Sequence, residues 1–118
     1  LYILIACCNN KLSEKKINWH NKKSICIVLC SKGYPDKFKK NIEIEKIKNV
    51  KLGPNEYLFH AGTSKHEDKI YAIGGRVLNF VSVSNSFSDA KKEVIENINK
   101  LNWTGGFHRK DIGYKVIN

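Results

Sequence analysis

Two hydrophobic periods follow one another along the chain, and together they predict several strands followed by a helix. Residues 24–30 form a near-continuous apolar run, SICIVLC, which is typical of a strand covered on both faces. Residues 41–47 alternate apolar with charged side chains, as a half-buried strand does. Aromatic and β-branched residues predict further strands at 56–61, 69–73 and 77–83, with GTSKHED as the loop of a hairpin between the first two.

A long amphipathic helix is predicted after these strands. Ser86 and Asp89 stand three residues apart, as in a capping box, immediately before apolar residues at helical spacing: Ala90, Val94, Ile98 and Leu101. The closing GGFHRKDIGYKVI predicts a loop and then a short final strand. Residues 1–8 are typical of the end of another helix, which Asn9 and Asn10 would terminate. The fold class is therefore α+β, with a mainly antiparallel sheet.

The charge balance is strongly basic but carries little information about partners. Lysine and arginine number 21 against 11 acidic residues, a formal charge of +10. Such an excess is compatible with nucleic-acid binding, yet all but two of these cations are lysines, and a solvated lysine-rich surface is the favoured interpretation. Where lysine is so common, the two arginines, Arg76 and Arg109, are the candidates for bidentate recognition of phosphate or carboxylate.

Several classes of protein lose support at this point. No apolar run approaches the roughly 20 residues that a membrane-spanning helix requires. The cysteines (Cys7, Cys8, Cys26 and Cys30) lack CxxC spacing, so buried thiols are expected and a zinc site is not. Phosphate-binding loops and common hydrolase motifs are also absent. Because the sequence begins at Leu1 and contains no Met, we expect it to be part of a longer protein.

Three glycine-containing segments each follow a predicted strand: Gly33-Tyr34-Pro35, Gly62-Thr63 and Gly74-Gly75-Arg76. Glycine allows backbone N–H groups to approach a ligand closely, and such corners form concavities that favour anions. For any one segment taken alone, ordinary turn chemistry is the favoured interpretation. Taken together, the three segments are candidates for a substrate site to which Arg76 adds a forked donor.

The ordered motifs KGYPDKF, YLFHAGT, IGGRVLNFVSV and FHRKDIGY, with the capped helix before the last, resemble a known family. They are similar in order and spacing to the C-terminal domain of glycinamide ribonucleotide synthetases, also called phosphoribosylamine–glycine ligases. The stretch before them resembles the last helix and linker of that enzyme's ATP-grasp domain. The resemblance implies two parts, residues 1–23 and residues 24–118.

This resemblance implies a cytoplasmic enzyme of de novo purine synthesis. Members of the family join glycine to 5-phosphoribosylamine with ATP and Mg (or Mn), through a glycyl phosphate. The resemblance places ATP and metal binding mainly in the upstream ATP-grasp domain, so catalytic residues are not expected here and the chain should be inactive alone. Its partners would be the two substrates and the rest of its own enzyme, without nucleic acid or membrane.

Site residues carried over from the family coincide with the glycine corners. The implied substrate-binding candidates are Gly33, Tyr34, Pro35, Gly62, Thr63, Gly74, Gly75 and Arg76. Arg109, Lys110 and Asp111 match the family's terminal motif and are weaker candidates, because an Arg–Asp structural pair explains them as well. A basic nucleic-acid-binding domain and a purely structural interaction domain remain the alternative functions.

Overall fold

The structure is a computed structural model that describes residues 1–117. It contains two α-helices and seven strands: α1 (Tyr2–Cys8), β1 (Lys23–Ser31), β2 (Ile42–Glu43), β3 (Glu56–His60), β4 (Thr63–His66), β5 (Lys69–Ala72), β6 (Arg76–Ser84), α2 (Phe87–Leu101) and β7 (Gly106–Phe107). Short 3₁₀ helices cover Leu12–Glu14 and Ile47–Asn49. The predicted α+β class is confirmed.

All strand pairs are antiparallel, and they form two sheets. The larger sheet has the order β3-β6-β1-β7, and the smaller has the order β2-β5-β4. The central β1–β6 ladder runs from Lys23 opposite Ser84 to Leu29 opposite Leu78. A bulge then shifts the register and places Cys30 opposite Arg76. Bulges re-aim side chains at the end of a ladder, and this one lies where β6 begins.

Helix α2 covers one face of the larger sheet, and the core lies between them. Ile27 and Phe80 occupy opposed positions on β1 and β6 and are fully buried, as is Val94 on α2. The helix begins as predicted, because the Ser86 hydroxyl accepts a hydrogen bond from the Asp89 backbone N–H at 3.0 Å. The Asp89 carboxylate accepts a bond from that same hydroxyl instead of reaching back to the backbone.

The prediction that β1 is covered on both faces is wrong within this chain. Ile25, Ile27 and Leu29 are buried under α2, whereas Cys26 on the opposite side is exposed. The expected burial of the cysteines is also wrong: Cys7 and Cys8 are exposed on α1, Cys26 is exposed on the uncovered side of β1, and Cys30 is half-buried. A single helix can cover only one side of a sheet, and this chain supplies no second layer among its described residues.

The strand predicted at 41–47 is shorter than its alternation suggested. Pairing stops after Ile42–Glu43, and the chain turns into the 3₁₀ helix Ile47–Asn49. Ile44 is buried and its N–H donates to the Ile70 carbonyl at 2.8 Å. The Trp103 indole N–H donates to the Glu43 carbonyl at 3.0 Å. The bond to Ile70 continues the β2–β5 register by one residue, and the strand predicted to reach residue 47 ends there.

Two other local predictions need correction. The segment GTSKHED is not a simple loop: Thr63–His66 form β4, which pairs with β5 through a tight turn at Glu67, where φ is +51°. Near the end of the chain the strand precedes the loop, because Gly106 and Phe107 pair with the end of β1 and turns follow them. Residue 118, the last of the range 24–118 assigned to the second part, lies outside the described residues.

The leading helix is present, and its exposed residues are apolar. Helix α1 ends at Cys8, and Asn10 adopts a left-handed φ of +55°. Leu4 and Ile5 are more than half exposed. Its assignment to a preceding domain, with a boundary near residue 23, stays a prediction. Across residues 1–117, no helix combines the length and apolar character needed to cross a bilayer.

Candidate functional site

The side of the larger sheet that α2 does not cover is called the open face here. Strand alternation places residues of β1, β3 and β6 on it, among them Cys26, Val28, Tyr57, Phe59, Asn79 and Val81. One end of this face deepens into a hollow of about 600 Å³, lined by Val28, Tyr34, Ala61, Gly62, Gly75, Arg76 and Asn79. The hollow therefore lies where β1 ends and β6 begins.

Two of the glycine corners meet directly at this hollow. The Gly62 N–H donates to the Arg76 carbonyl at 2.9 Å, and the Gly74 N–H donates to the Gly62 carbonyl at 3.2 Å. A Cβ added at Gly62 would lie 2.6 Å from the Arg76 carbonyl oxygen and 2.7 Å from the Gly74 Cα. Glycine is therefore required for this approach of the two backbones, which joins the end of β3 to the start of β6.

The third corner closes over the second. The Tyr34 ring lies against Gly75, in the space that a Cβ at that glycine would occupy. Ser31, at the end of β1, donates from its N–H to the Gly75 carbonyl at 2.8 Å and from its hydroxyl to the Gly74 carbonyl at 2.9 Å. Its own carbonyl accepts the Tyr34 N–H at 3.1 Å. The position of the Gly74–Gly75 backbone is thus fixed from two directions.

Arg76 is the charged residue of the hollow. It is exposed, and among residues 1–117 its guanidinium forms neither an ion pair nor a hydrogen bond with another side chain. The Cys30 thiol lies nearby: burial raises its pKa, and the positive charge of Arg76 opposes that increase. A guanidinium without a carboxylate partner, beside close-packed glycines, is suited to a phosphate or carboxylate.

The sequence-predicted residues divide between those that line the hollow and those that do not. Tyr34, Gly62, Gly75 and Arg76 line it, and Gly33, Pro35 and Gly74 adjoin these in the chain. The Thr63 hydroxyl instead lies 3.0 Å from Nδ1 of His60. Sequence reasoning did not identify Val28, Ala61 and Asn79. Only the strand register could have identified them, since they carry no chemical motif.

The terminal motif does not join the hollow. Arg109 and Asp111 form an exposed ion pair, with Nε of the arginine 2.9 Å from Oδ1 of the aspartate. The hydrogen bond and opposite charge of Arg109 lower the pKa of the Asp111 carboxyl, and those of Asp111 raise the pKa of Arg109. The Lys110 carbonyl accepts a bond from Lys91 of α2 at 3.1 Å, and α2 lies on the opposite side of the sheet from the hollow. The structural pairing thus explains this motif.

A metal site is a separate question from anion binding. Within residues 1–117, no three His, Cys, Asp or Glu side chains come together as a metal site would need. The hollow itself contributes a guanidinium and backbone groups, whereas Mg²⁺ takes carboxylate oxygens. The residues described here therefore do not fit the metal ion that the family resemblance implies, and they fit an anionic group.

The family follows from comparison of the sequence with known proteins. The family model described as "Phosphoribosylglycinamide synthetase, C domain" matches residues 24–115, which include α2 and all the strands apart from Lys23, the first residue of β1. The chain belongs to this family.

Relatives of this C domain are named as ligases. A "Phosphoribosylamine--glycine ligase" of Caldanaerobacter subterraneus subsp. tengcongensis is 38% identical over 112 residues, which is 95% of this chain and 26% of that protein. The enzyme of the same name from Vibrio vulnificus (strain CMCP6) is 37% identical and is covered to 27%. A "Bifunctional purine biosynthetic protein" of Dictyostelium discoideum is 37% identical over 117 residues, 98% of this chain and 14% of that protein. The chain thus spans about a quarter of the length of the ligases it matches.

A solved structure shows the same fold. The crystal structure of phosphoribosylamine–glycine ligase from Thermotoga maritima aligns with a TM-score of 0.69 at 23% identity. The alignment covers 93% of this chain and 27% of that one. The C-domain architecture described above is therefore that of a known ligase domain.

Proposed function

We propose that this chain is the C-terminal part of a phosphoribosylamine–glycine ligase and that its hollow forms one wall of the substrate site. The reaction joins glycine to 5-phosphoribosylamine with ATP, through a glycyl phosphate, in purine synthesis. The relatives that carry this name, and the family of residues 24–115, support the proposal. ATP and Mg (or Mn) would be held mainly by the rest of the enzyme, as the family resemblance implies.

The convergence of the glycine corners on Arg76 is the observation that carries the site. Gly62, Gly75 and Tyr34 surround the start of β6, and the exposed guanidinium has no carboxylate partner among the described residues. The other arginine, Arg109, is already neutralised by Asp111. An unpaired guanidinium can donate two hydrogen bonds to the substrate's phosphate or carboxylate without first breaking an internal ion pair.

The wall would act by positioning and by excluding water. An acyl phosphate is readily hydrolysed, so the attacking amine has to be held near the acyl carbon while solvent is kept out. Arg76 would orient the anionic end of the substrate, and the close-packed Gly62–Gly74 contact would keep that cation in place. Catalytic groups and the nucleotide would come from the rest of the enzyme, whose domains would close on one cleft. We expect this enzyme to be cytoplasmic.

The test is a kinetic comparison of the two arginines in the intact ligase. Arg76→Lys keeps the charge but loses the fork, and we expect kcat/KM for 5-phosphoribosylamine to fall about 10- to 100-fold, the equivalent of a lost charged hydrogen bond. Arg109→Lys is the matched control and should change kcat/KM little. Circular dichroism should show both variants folded.

Two results would contradict the proposal. If Arg76→Lys is folded and has wild-type kinetics for both substrates, Arg76 is not in the site. If the intact wild-type protein forms no glycinamide ribonucleotide from glycine, 5-phosphoribosylamine and MgATP, the activity itself is wrong.

A further inference from the structure

The open face has the composition of a buried surface although nothing in this chain covers it. A sheet with one solvated face normally alternates apolar residues inward with polar residues outward. Here the outward positions of β1 and β6 include Cys26, Val28 and Val81. Across residues 1–117, β1, β3 and β6 place no lysine, aspartate or glutamate on this side, and Arg76 stands at its end. In a chain of charge +10, this neutrality distinguishes the open face from the rest of the surface.

The open face carries an exposed aromatic pair on its edge strand. Tyr57 and Phe59 stack with centroids 6.1 Å apart and planes 11° apart, and they remain 43% and 55% exposed. Exposed aromatic side chains on an apolar patch are typical of an interface, where tyrosine and phenylalanine are enriched. The pair lies on the same face as the hollow.

We infer that the open face is covered by the remainder of the ligase, which docks on Tyr57 and Phe59 and thereby closes the hollow at Arg76. The inference rests on the proposed function, because it takes the occupant from the relatives, of whose length this chain represents about a quarter. The missing three quarters are large enough to supply a second layer. A protein layer fits the neutral face, whereas a nucleic acid would favour lysines interleaved with the aromatics.

The position of the hollow gives an independent reason for this occupant. Val28 and Asn79 belong to the open face and also line the hollow. A layer that packs on the open face therefore also contacts the edge of the hollow, and no additional loop or domain movement is needed to bring it there. The hollow is open on the side where that layer would lie, and the reacting groups that this chain lacks would enter from there.

The test measures the accessibility of the face in the intact ligase. Two variants each add a thiol at an exposed strand position: Tyr57→Cys on the open face, and Lys65→Cys on β4 of the smaller sheet, where the side chain is also exposed. Iodoacetamide labelling is followed by mass spectrometry of the modified peptides. We expect the cysteine at 57 to react at least about fivefold more slowly than the one at 65, because reaction requires access. A smaller ratio overturns the inference.

A second pair of variants perturbs the contact instead of reporting on it. Phe59→Asp should loosen the docked layer and increase labelling of the native Cys26, whereas Tyr114→Asp changes an equally exposed tyrosine outside the open face and should not. If Phe59→Asp does not fold, the comparison of positions 57 and 65 decides alone. Unchanged Cys26 labelling in a folded Phe59→Asp variant counts against docking there.

Other occupants give different results, each of which overturns the inference. Protection of position 57 that is lost on dilution, together with a dimer by light scattering, indicates a second copy. Protection that appears only when a single-stranded oligonucleotide is added indicates a nucleic acid. The proposed function and the docking fail separately. If the ligase is inactive but position 57 is protected, the proposed function is wrong and the docked layer stands. If the ligase is active but position 57 reacts freely, only the docking is wrong.

Discussion

The contact between Gly62 and Gly74 supports the hollow, and Gly62→Ala tests it directly. The new Cβ would lie 2.6 Å from the Arg76 carbonyl oxygen and 2.7 Å from the Gly74 Cα. Both neighbours are backbone atoms, so no rotation of a side chain relieves the overlap. The end of β3 and the start of β6 would have to separate. The hydrogen bond from the Gly62 N–H to the Arg76 carbonyl, which is 2.9 Å long, would lengthen.

The magnitude follows from two opposing effects. Replacing glycine by alanine restricts the unfolded chain and stabilises the folded one by about 0.4–1 kcal/mol where the native conformation suits both residues. Overpacking against a fixed neighbour costs about 1–3 kcal/mol. The expected net loss in free energy of unfolding is therefore about 1–2 kcal/mol, or a melting temperature about 5 °C lower for a domain of this size.

Gly53→Ala is the matched control. Its nearest neighbour would be the end of the Glu56 side chain at 3.3 Å, which can move away. Urea unfolding of the 118-residue chain, followed by far-UV circular dichroism, should give a lower midpoint for Gly62→Ala than for Gly53→Ala, with the same slope. Equal midpoints would refute the argument that the two backbones are in fixed contact at the hollow.

Two further predictions concern α2 and the terminal segment. Ser86→Ala removes the hydroxyl that accepts the Asp89 N–H and should lower the free energy of unfolding by about 1 kcal/mol, whereas Ser88→Ala, an exposed serine in the first turn, should have a smaller effect in the same urea titration. Burial, with a contribution from Lys110, lowers the pKa of His108 below its usual value of 6.5. As the pH falls, the unfolded chain therefore protonates His108 before the folded chain does, and the free energy of unfolding should decline below pH 6.5. The decline should be smaller in His108→Gln. Identical pH profiles of the two proteins would contradict the assignment of this effect to His108.

Helix α2 could be predicted because all its determinants are local. The Ser86 cap, its partner at Asp89 and the apolar positions from Ala90 onward lie within four turns of one another, and the structure reproduces each of them. The strands β1 and β6 were predicted for a related reason, since long runs of β-branched residues specify extended backbone wherever they pair.

The errors arose where distant contacts decide the local structure. The alternation at Glu43 and Ile44 predicts a continuing strand, but the chain leaves β5 after Ile44 and turns into the 3₁₀ helix Ile47–Asn49, while the Glu43 carbonyl accepts the distant Trp103 indole N–H. Likewise, β4 is a strand because β5 returns alongside it after a tight turn at Glu67. Neither partner can be identified from the periodicity of the segment itself.

The candidate site shows the same division at the level of chemistry. Each glycine corner is visible in the sequence as a possible turn, and a turn alone is an ordinary feature. Their meeting depends on the bulge after Leu29, which brings Arg76 opposite Cys30, and on the antiparallel pairing of β3 with β6. Sequence spacing determines neither of these. The residues of the hollow could therefore be identified as candidates from the sequence, but their meeting in space could not be predicted from it.

The prediction that β1 is covered on both faces is the most informative of the errors. A strand of composition SICIVLC is costly to leave half in water, and α2 covers only Ile25, Ile27 and Leu29. The sequence of β1 is therefore suited to a larger structure than the one this chain builds. The apolar pattern on the uncovered side and the stacked Tyr57 and Phe59 would both be explained by a second layer that buries them, and such a layer would close the hollow in which Arg76 binds the anionic end of the substrate.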